Sequence, residues 1–265
     1  MSLKICVLGS GSSGNAIYIA SASTHLLIDA GLSARQIALR LERIGVDPAA
    51  LSGVCLSHEH TDHVAGVRVL RKRFGLPLFV NDGTLHGLPP AVAETPGEIN
   101  LFQTGAPFTV GDLRIDPFAV PHDAYEPVGF RIEAGGVSVG LVTDLGMSTA
   151  LVREKLRGCD AVVVEANHDE DLLIEAPRPW ALKQRIRGRQ GHLSNTAAAR
   201  LIAECATERL RHVFLVHLSS ECNTPDLALR TISSQLRLDG LDHIPLEVTF
   251  PDRVSSLWRP DPVFR

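Results

Sequence analysis

The sequence predicts an α/β (α+β) fold in four layers, two β-sheets face to face with helices on both outer sides. Three observations predict it. Short apolar runs of strand length recur through both halves of the chain; amphipathic helical patterns are interleaved with them in both; and no repeat, low-complexity tract or linker divides the 265 residues, 45% of which are hydrophobic. A chain of that size can bury a large core, and a single domain over residues 1–265 is the expectation.

Taken in order, Lys4 to Leu8 reads as a first strand and runs into Gly9-Ser10-Gly11-Ser12-Ser13-Gly14. That glycine spacing matches the dinucleotide-binding fingerprint, which needs a helix to open at the third glycine. Ala16 to Ala20 is instead β-branched and aromatic, so the segment is a turn between two strands, lending Ser12, Ser13 or Asn15 to the rim of a site. His25 to Asp29 is a third strand. Ser33-Ala-Arg-Gln36 has the form of a capping box, and Ile37, Leu41 and Ile44 give an apolar face, so residues 33–44 form a helix. Val54, Cys55 and Leu56 open the next strand. Val64, Val67, Leu70 and Phe74 recur at helical spacing after it. Leu78 to Val80, Ile99 to Phe102 and Leu113 to Val120 are strand-like runs between Gly and Pro turns, and Gly129 to Glu133 with Val137 to Thr143 make a hairpin through Gly135-Gly136. The second half carries helical patterns at 148–157, 179–187, 194–206 and 225–238, the last opened by Thr224-Pro225-Asp226. Strands at Ala161 to Glu165 and His212 to His217 separate them, with Leu246 to Thr249 and Val254 to Trp258 as final strands.

Bulk properties exclude several classes. A net charge of −4 and a pI near 6.3 exclude a globally basic nucleic-acid binder, so such contacts must come from a local patch. Five scattered cysteines without a Cys-x-x-Cys pair argue against a disulfide framework and for a reducing cytoplasm. The N-terminal residues show no secretory pattern, and no run approaches the roughly 18 apolar residues of a membrane helix, so no membrane partner is expected.

Residues 53–63 carry the chemistry. An apolar strand ends abruptly in His58, His60, Asp62 and His63, and one tight loop can turn all four toward a point. Imidazole nitrogens and carboxylate oxygens are the usual ligands of zinc and related divalent ions. As surface decoration the cluster has no packing rationale, because apposed, uncompensated imidazoles and acids are costly. Three further polar residues stand at the mouths of later apolar strands: His122, Asp144 and His217. His25, His86, His212 and His243 have no convergent neighbours in the pattern and read as surface or packing residues.

In this order, Asp29, the 58–63 motif, His122, Asp144 and His217 resemble the metallo-β-lactamase fold superfamily across essentially the whole chain. Gly11-Ser-Ser-Gly-Asn15, Leu27-Ile-Asp-Ala-Gly31, Glu165-Ala-Asn-His-Asp169, Gly191-His-Leu-Ser-Asn195 and His217-Leu-Ser-Ser-Glu-Cys-Asn-Thr-Pro225 are similar to the bacterial YycJ/WalJ group, regarded as DNA-directed exonucleases. The resemblance implies the four-layer αββα sandwich and two divalent metal ions, zinc foremost with manganese or iron as alternatives. It assigns His58, His60 and His122 to one ion, Asp62, His63 and His217 to the other, Asp144 as the bridge, and Asp29 as the residue that fixes the histidine loop. Two such ions about 3.5 to 4 Å apart can share a hydroxide that attacks a phosphodiester in line. Asp62 would also orient that nucleophile. His192 resembles the histidine that tRNA-processing relatives place near the scissile phosphate, and would protonate the leaving group or contact phosphate.

Spacing separates the superfamily's branches. The 22 positions from His122 to Asp144 leave no room for the arm by which tRNA 3′-processing enzymes grip tRNA, and the 73 from Asp144 to His217 none for the extra domain of RNase J and cleavage-factor nucleases. Asp144 stands where many antibiotic-hydrolysing relatives have cysteine, and His60 where diiron oxygen reductases commonly have glutamate. Arg178, Lys183, Arg185, Arg187 and Arg189 precede His192, with Trp180 among them. Five cations in twelve positions without an intervening acid could track a phosphate backbone while Trp180 stacks a base. The expectation is a metal-dependent phosphodiesterase acting on DNA. The alternative is a small-molecule hydrolase such as a glyoxalase II-like thioesterase or a lactonase; a catalytically silent binding protein is disfavoured by the intact ligand set.

Overall fold

The computed structural model describes residues 3–260. Side-chain alternation along the strands builds its layers. In β1 (Lys4–Gly9), Ile5 and Val7 point into an interior shared by both sheets, while Cys6 and Leu8 point outward under helices. The first sheet continues through β2 (Ala16–Ala20), β3 (His25–Ile28), β4 (Gly53–Cys55), β5 (Leu78–Val80) and β6 (Ile99–Leu101) in that spatial order. Pairing is antiparallel from β1 to β3 and parallel from β3 to β6.

The second sheet contains β7 (Phe108–Val110), β8 (Leu113–Ala119), β9 (Val128–Ala134), β10 (Val137–Val142), β11 (Ala161–Glu165), β12 (His212–Val216) and β13 (Leu246–Val248). It is antiparallel from β7 to β10 and parallel from β10 to β13. Phe130, Val163 and Phe214 meet Ile5, Ile19 and Ile28 between the sheets. On the outside, helices Ala34–Arg43 and Val67–Phe74 set Ile37, Leu41, Val67 and Leu70 against the first sheet. Helices Ala150–Leu156, Asn195–Cys205 and Pro225–Leu238 set Val152, Leu156, Ile202 and Ile232 against the second. The expected four layers are therefore present. Strands β3, β4, β8, β10, β11 and β12 end at one rim, and there the chain places Asp29, His58, His122, Asp144, Glu165 and His217.

Several elements differ from their sequence reading. The helical pattern beginning at Val64 is two helices, Thr61–Val64 and Val67–Phe74, parted at Gly66. A Cβ at Gly66 would lie 2.3 Å from the Leu32 carbonyl oxygen, so two backbones meet where a continuous helix would need a side chain. Val254 to Trp258 is not a strand: Trp258 makes one bridge to Ile5 at the free edge of β1, and Ser255 Oγ accepts the Val7 N–H in between at 2.9 Å. Strand β7 and the short helices Asp82–Gly87, Pro90–Ala93 and Glu170–Glu175 are too brief to show a period in sequence.

The backbone of Asp62 is held against the segments that leave the first sheet. Its carbonyl accepts the Asn15 N–H at 2.8 Å, and a Cβ added at Gly31 would sit 1.6 Å from that carbonyl oxygen. Gly31→Ala must displace the Asp62 peptide, and overpacking of this kind costs about 1–3 kcal/mol. Urea unfolding should show that loss together with reduced metal content. An unchanged midpoint with full metal content would contradict the packing described.

Candidate metal centre

Each imidazole is oriented by the partner on its far nitrogen. His122 Nδ1 lies 3.1 Å from the Gly191 carbonyl and His60 Nε2 3.2 Å from the Asp123 carbonyl, so both donate there. Their remaining nitrogens, His122 Nε2 and His60 Nδ1, then face each other at 3.3 Å as two lone pairs. His58 completes this group, with its Nδ1 on Ser57 Oγ at 2.9 Å and its Nε2 buried without a hydrogen-bond partner among the described residues.

A second group gathers Asp62, His63 and His217. Asp29 Oδ2 pairs with His63 Nδ1 at 2.8 Å and takes the Ser57 hydroxyl at 2.7 Å, while its Oδ1 accepts the Ser57 N–H at 2.8 Å. His217 Nδ1 is 2.9 Å from Glu165 Oε1, which turns its Nε2 to within 3.3 Å of Asp62 Oδ2. Asp144 stands between the groups. Its Oδ2 is 3.0 Å from His63 Nε2 and has no hydrogen-bond partner of acceptable geometry, and its Oδ1 is 3.8 Å from His122 Nε2. Converging lone pairs, an orphaned imidazole nitrogen and an orphaned carboxylate oxygen fit divalent cations, which accept electron pairs from all of them at once.

The charges respond to this crowding. Burial, reinforced by His63, holds His58 well below the usual histidine range, and burial likewise lowers His122. Burial opposes protonation of His63, but Asp144 and Asp29 push it up to about 10. For His217, burial is outweighed by Asp144, Asp62 and Glu165, and its pKa lies well above the usual value. Asp144 is buried, yet His217 and His63 hold its carboxyl well below the normal range; Asp62 is lowered against the same penalty by His217 and His63.

All seven expected ligands and Asp29 thus converge. Glu165 is the residue whose part sequence reading left undecided. Fully buried, it takes both His217 Nδ1 and His192 Nδ1 on Oε1, the latter at 2.7 Å, and the Leu145 and Leu193 N–H groups on Oε2 at 3.0 Å. Its position at the end of β11, in register with Val216 of β12, was the available signal. His192 sits between His122 and His217, with ring centroids 5.2 Å from each. Burial opposes its protonation, and Glu165 raises it.

The expected substrate contacts divide. Ser12, Arg178 and Arg185 line a cleft of about 190 Å³ with His192 and His217. Asn15 does not face it: buried, it binds Ser10 and Gly11 through Oδ1 and Asp62 through Nδ2, so it belongs to the scaffold. Ser13 is exposed and outside the cleft lining. Lys183 turns inward, and its ammonium meets the Ile174 carbonyl in the last turn of helix Glu170–Glu175, where a cation is favoured by the helix dipole. Trp180 is exposed at the start of helix Trp180–Arg187 and does not line the cleft. Arg187 borders a separate depression behind His192, and Arg189 lies against Met147.

Comparison with known proteins follows the same lines. The sequence model of the beta-lactamase superfamily domain matches residues 24–218. Exodeoxyribonuclease YycJ of Bacillus anthracis is 33% identical over 241 residues, 91% of each chain. Exodeoxyribonuclease WalJ of Streptococcus pneumoniae is 35% identical over 236 residues, 88% of each chain. Among solved structures, the metallo-β-lactamase fold protein YhfI from Bacillus subtilis superposes with a TM-score of 0.75 at 18% identity, over 97% of this chain and 100% of that one, a likeness of fold.

Metal must displace protons at this site. With its pKa raised to about 10, His63 is protonated in the metal-free chain at pH 7.5, and the pKa of His217 is raised by its carboxylate neighbours in the same direction. The contribution of His63 to metal-free stability is complete below the unfolded histidine pKa and is lost as pH rises through about 10. Calorimetric zinc titrations in buffers of different ionisation enthalpy should therefore report release of at least about one proton; binding without proton release would refute the charge assignment. Glu165→Gln, which keeps size but weakens the hold on His217, should lower metal affinity about 10- to 100-fold, read by competition with a chromogenic chelator.

Proposed function

The chain belongs to the metallo-β-lactamase fold superfamily and is a metal-dependent hydrolase, and from that premise we propose that it is a dinuclear exonuclease acting on DNA. One observation carries the reading. Asp144 groups with members of both ligand triads, and His217 of the second lines a cleft that also carries His192, Arg178 and Arg185. The names of the YycJ and WalJ relatives, both exodeoxyribonucleases, support the same substrate.

Bound divalent cations supply Lewis acidity and bring the pKa of water to about 7, so that a nucleophile exists at neutral pH. His58, His60 and His122 would hold one, Asp62, His63 and His217 the other, with Asp144 shared. Zinc is the first candidate, and manganese or iron suit the same donors. Asp62, the most exposed of the second triad, would orient the attacking oxygen. Glu165 occupies His192 Nδ1, which leaves Nε2 for the substrate: it donates a proton to the departing oxygen or a hydrogen bond to the phosphate. Arg178 and Arg185 draw in the anionic backbone. No helix among the described residues is long and apolar enough to cross a membrane. All five cysteines are buried free thiols, which suits a reducing cytoplasm.

Purified protein loaded with zinc or manganese should degrade end-labelled single-stranded DNA, and Asp62→Ala should abolish that activity. His192→Gln should keep its metal and lose about 10²- to 10⁴-fold in kcat. Joint replacement of Arg178 and Arg185 by alanine should raise KM for DNA and flatten its salt dependence. Turnover of a thioester panel in place of DNA would overturn the reading.

A further inference from the structure

Beside the histidine loop, the connection between β8 and β9 carries an exposed tyrosine. Tyr125 is 66% exposed, three residues after the ligand His122. Its position is nevertheless fixed. The Tyr125 N–H donates to Glu59 Oε1 at 2.9 Å, and Glu59 lies between His58 and His60. The next residue, Glu126, accepts the Gly83 N–H at 2.9 Å and the Thr104 hydroxyl at 2.6 Å, while its carbonyl takes Asn81 Nδ2 at 2.8 Å. His86 meets the tyrosine ring edge to face, with centroids 5.5 Å apart. A Cβ at Gly87 would come 2.6 Å from Tyr125 Cδ2 and 2.7 Å from Glu59 Cγ, so the absence of a side chain there lets the ring lie against the loop. An aromatic ring buttressed on one side, open on the other and tied to the metal-ligand loop by hydrogen bonds is a preformed stacking platform.

Resting on the nuclease reading above, the geometry points to Tyr125 as the residue that stacks an unpaired base of the DNA strand at the active site. Neither Tyr125 nor Trp180, which the sequence favours for that part, is in the cleft lining, and of the two it is Tyr125 that is anchored to the metal-ligand loop. Asp123, two residues before Tyr125, lines the cleft and pairs with Arg185 at 2.5 Å, so one short loop links the exposed ring to the cleft. Stacking is indifferent to base identity because every base has a π-face. The platform therefore gives preference for unpaired strand over duplex without reading sequence.

The test compares Tyr125→Ala, Tyr125→Phe and Trp180→Ala in the metal-loaded enzyme. Tyr125→Ala should raise KM for single-stranded DNA about tenfold or more with kcat and metal content retained, Tyr125→Phe should restore it, and Trp180→Ala should leave it unchanged. A strand with an abasic site at the terminal nucleotide and its neighbour should bind wild type and Tyr125→Ala equally. Anisotropy with phosphorothioate-linked strands measures the same difference without turnover. If Tyr125→Ala matches wild type on intact strands, or loses as much on abasic ones, the stacking assignment is wrong while the nuclease reading stands. If wild type neither binds nor cleaves strands, the nuclease reading falls, and this inference with it.

Discussion

The lone pairs of His60 and His122, aimed at each other 3.3 Å apart, are the constraint around which the rest of the structure is arranged. Two neutral nitrogens in that relation gain nothing from one another. Beside them, His58 Nε2 and Asp144 Oδ2 are buried without hydrogen bonds. A folded chain tolerates such a group only where another species satisfies it. Divalent cations relieve all of these conflicts together, which is why the cluster is chemically intelligible as a metal centre and unintelligible as packing.

Holding the cluster in readiness falls to groups that do not point into it. Asp29 and Glu165, both buried, fix His63 and His217 from behind in the same way, one from each sheet. The backbone shares the burden. Asp29 and His217 are the only non-glycine residues with positive φ among those described, at 58° and 56°. Each follows a strand and must turn its side chain sharply toward the rim. Left-handed backbone at a non-glycine residue is costly and persists where surrounding bonds enforce it. Here they do: the His217 N–H is taken by Ser10 Oγ at 2.8 Å, and the Asp29 N–H by the Cys55 carbonyl at 2.9 Å.

The layers and the ligands were legible in the sequence because both rest on strong local signals. Strand alternation in Ile5 to Leu8 or Val213 to Val216 states which face is inward, and histidines at strand ends state where the chemistry lies. What stayed hidden depends on distant partners. Glu165 looks like any acid after an apolar run until β12 brings His217 beside it. Asn15 looks like a rim residue until Asp62 is found against its backbone. The basic stretch misled in a different way: in helix Trp180–Arg187 the helical period sets Lys183 and Arg185 on opposite faces, and only the neighbouring helix Glu170–Glu175, which Lys183 caps, decides which face turns inward.

Two elements flank the rim, the 121–127 loop and the 180–187 helix, and the Arg185–Asp123 pair joins them. That pair is partly exposed, with side chains 63% and 28% accessible, so it is screened by water and is worth at most about 1 kcal/mol. A guanidinium held so lightly can exchange carboxylate for phosphate at little cost, since both are planar-to-tetrahedral oxygen acceptors that an arginine fork engages twice. Asp123 does not leave the site when this happens, because its carbonyl remains on His60 Nε2. The histidine loop therefore keeps its geometry while its outer wall rearranges, and the same residue that orients His60 from its backbone can release, from its side chain, an arginine at the cleft.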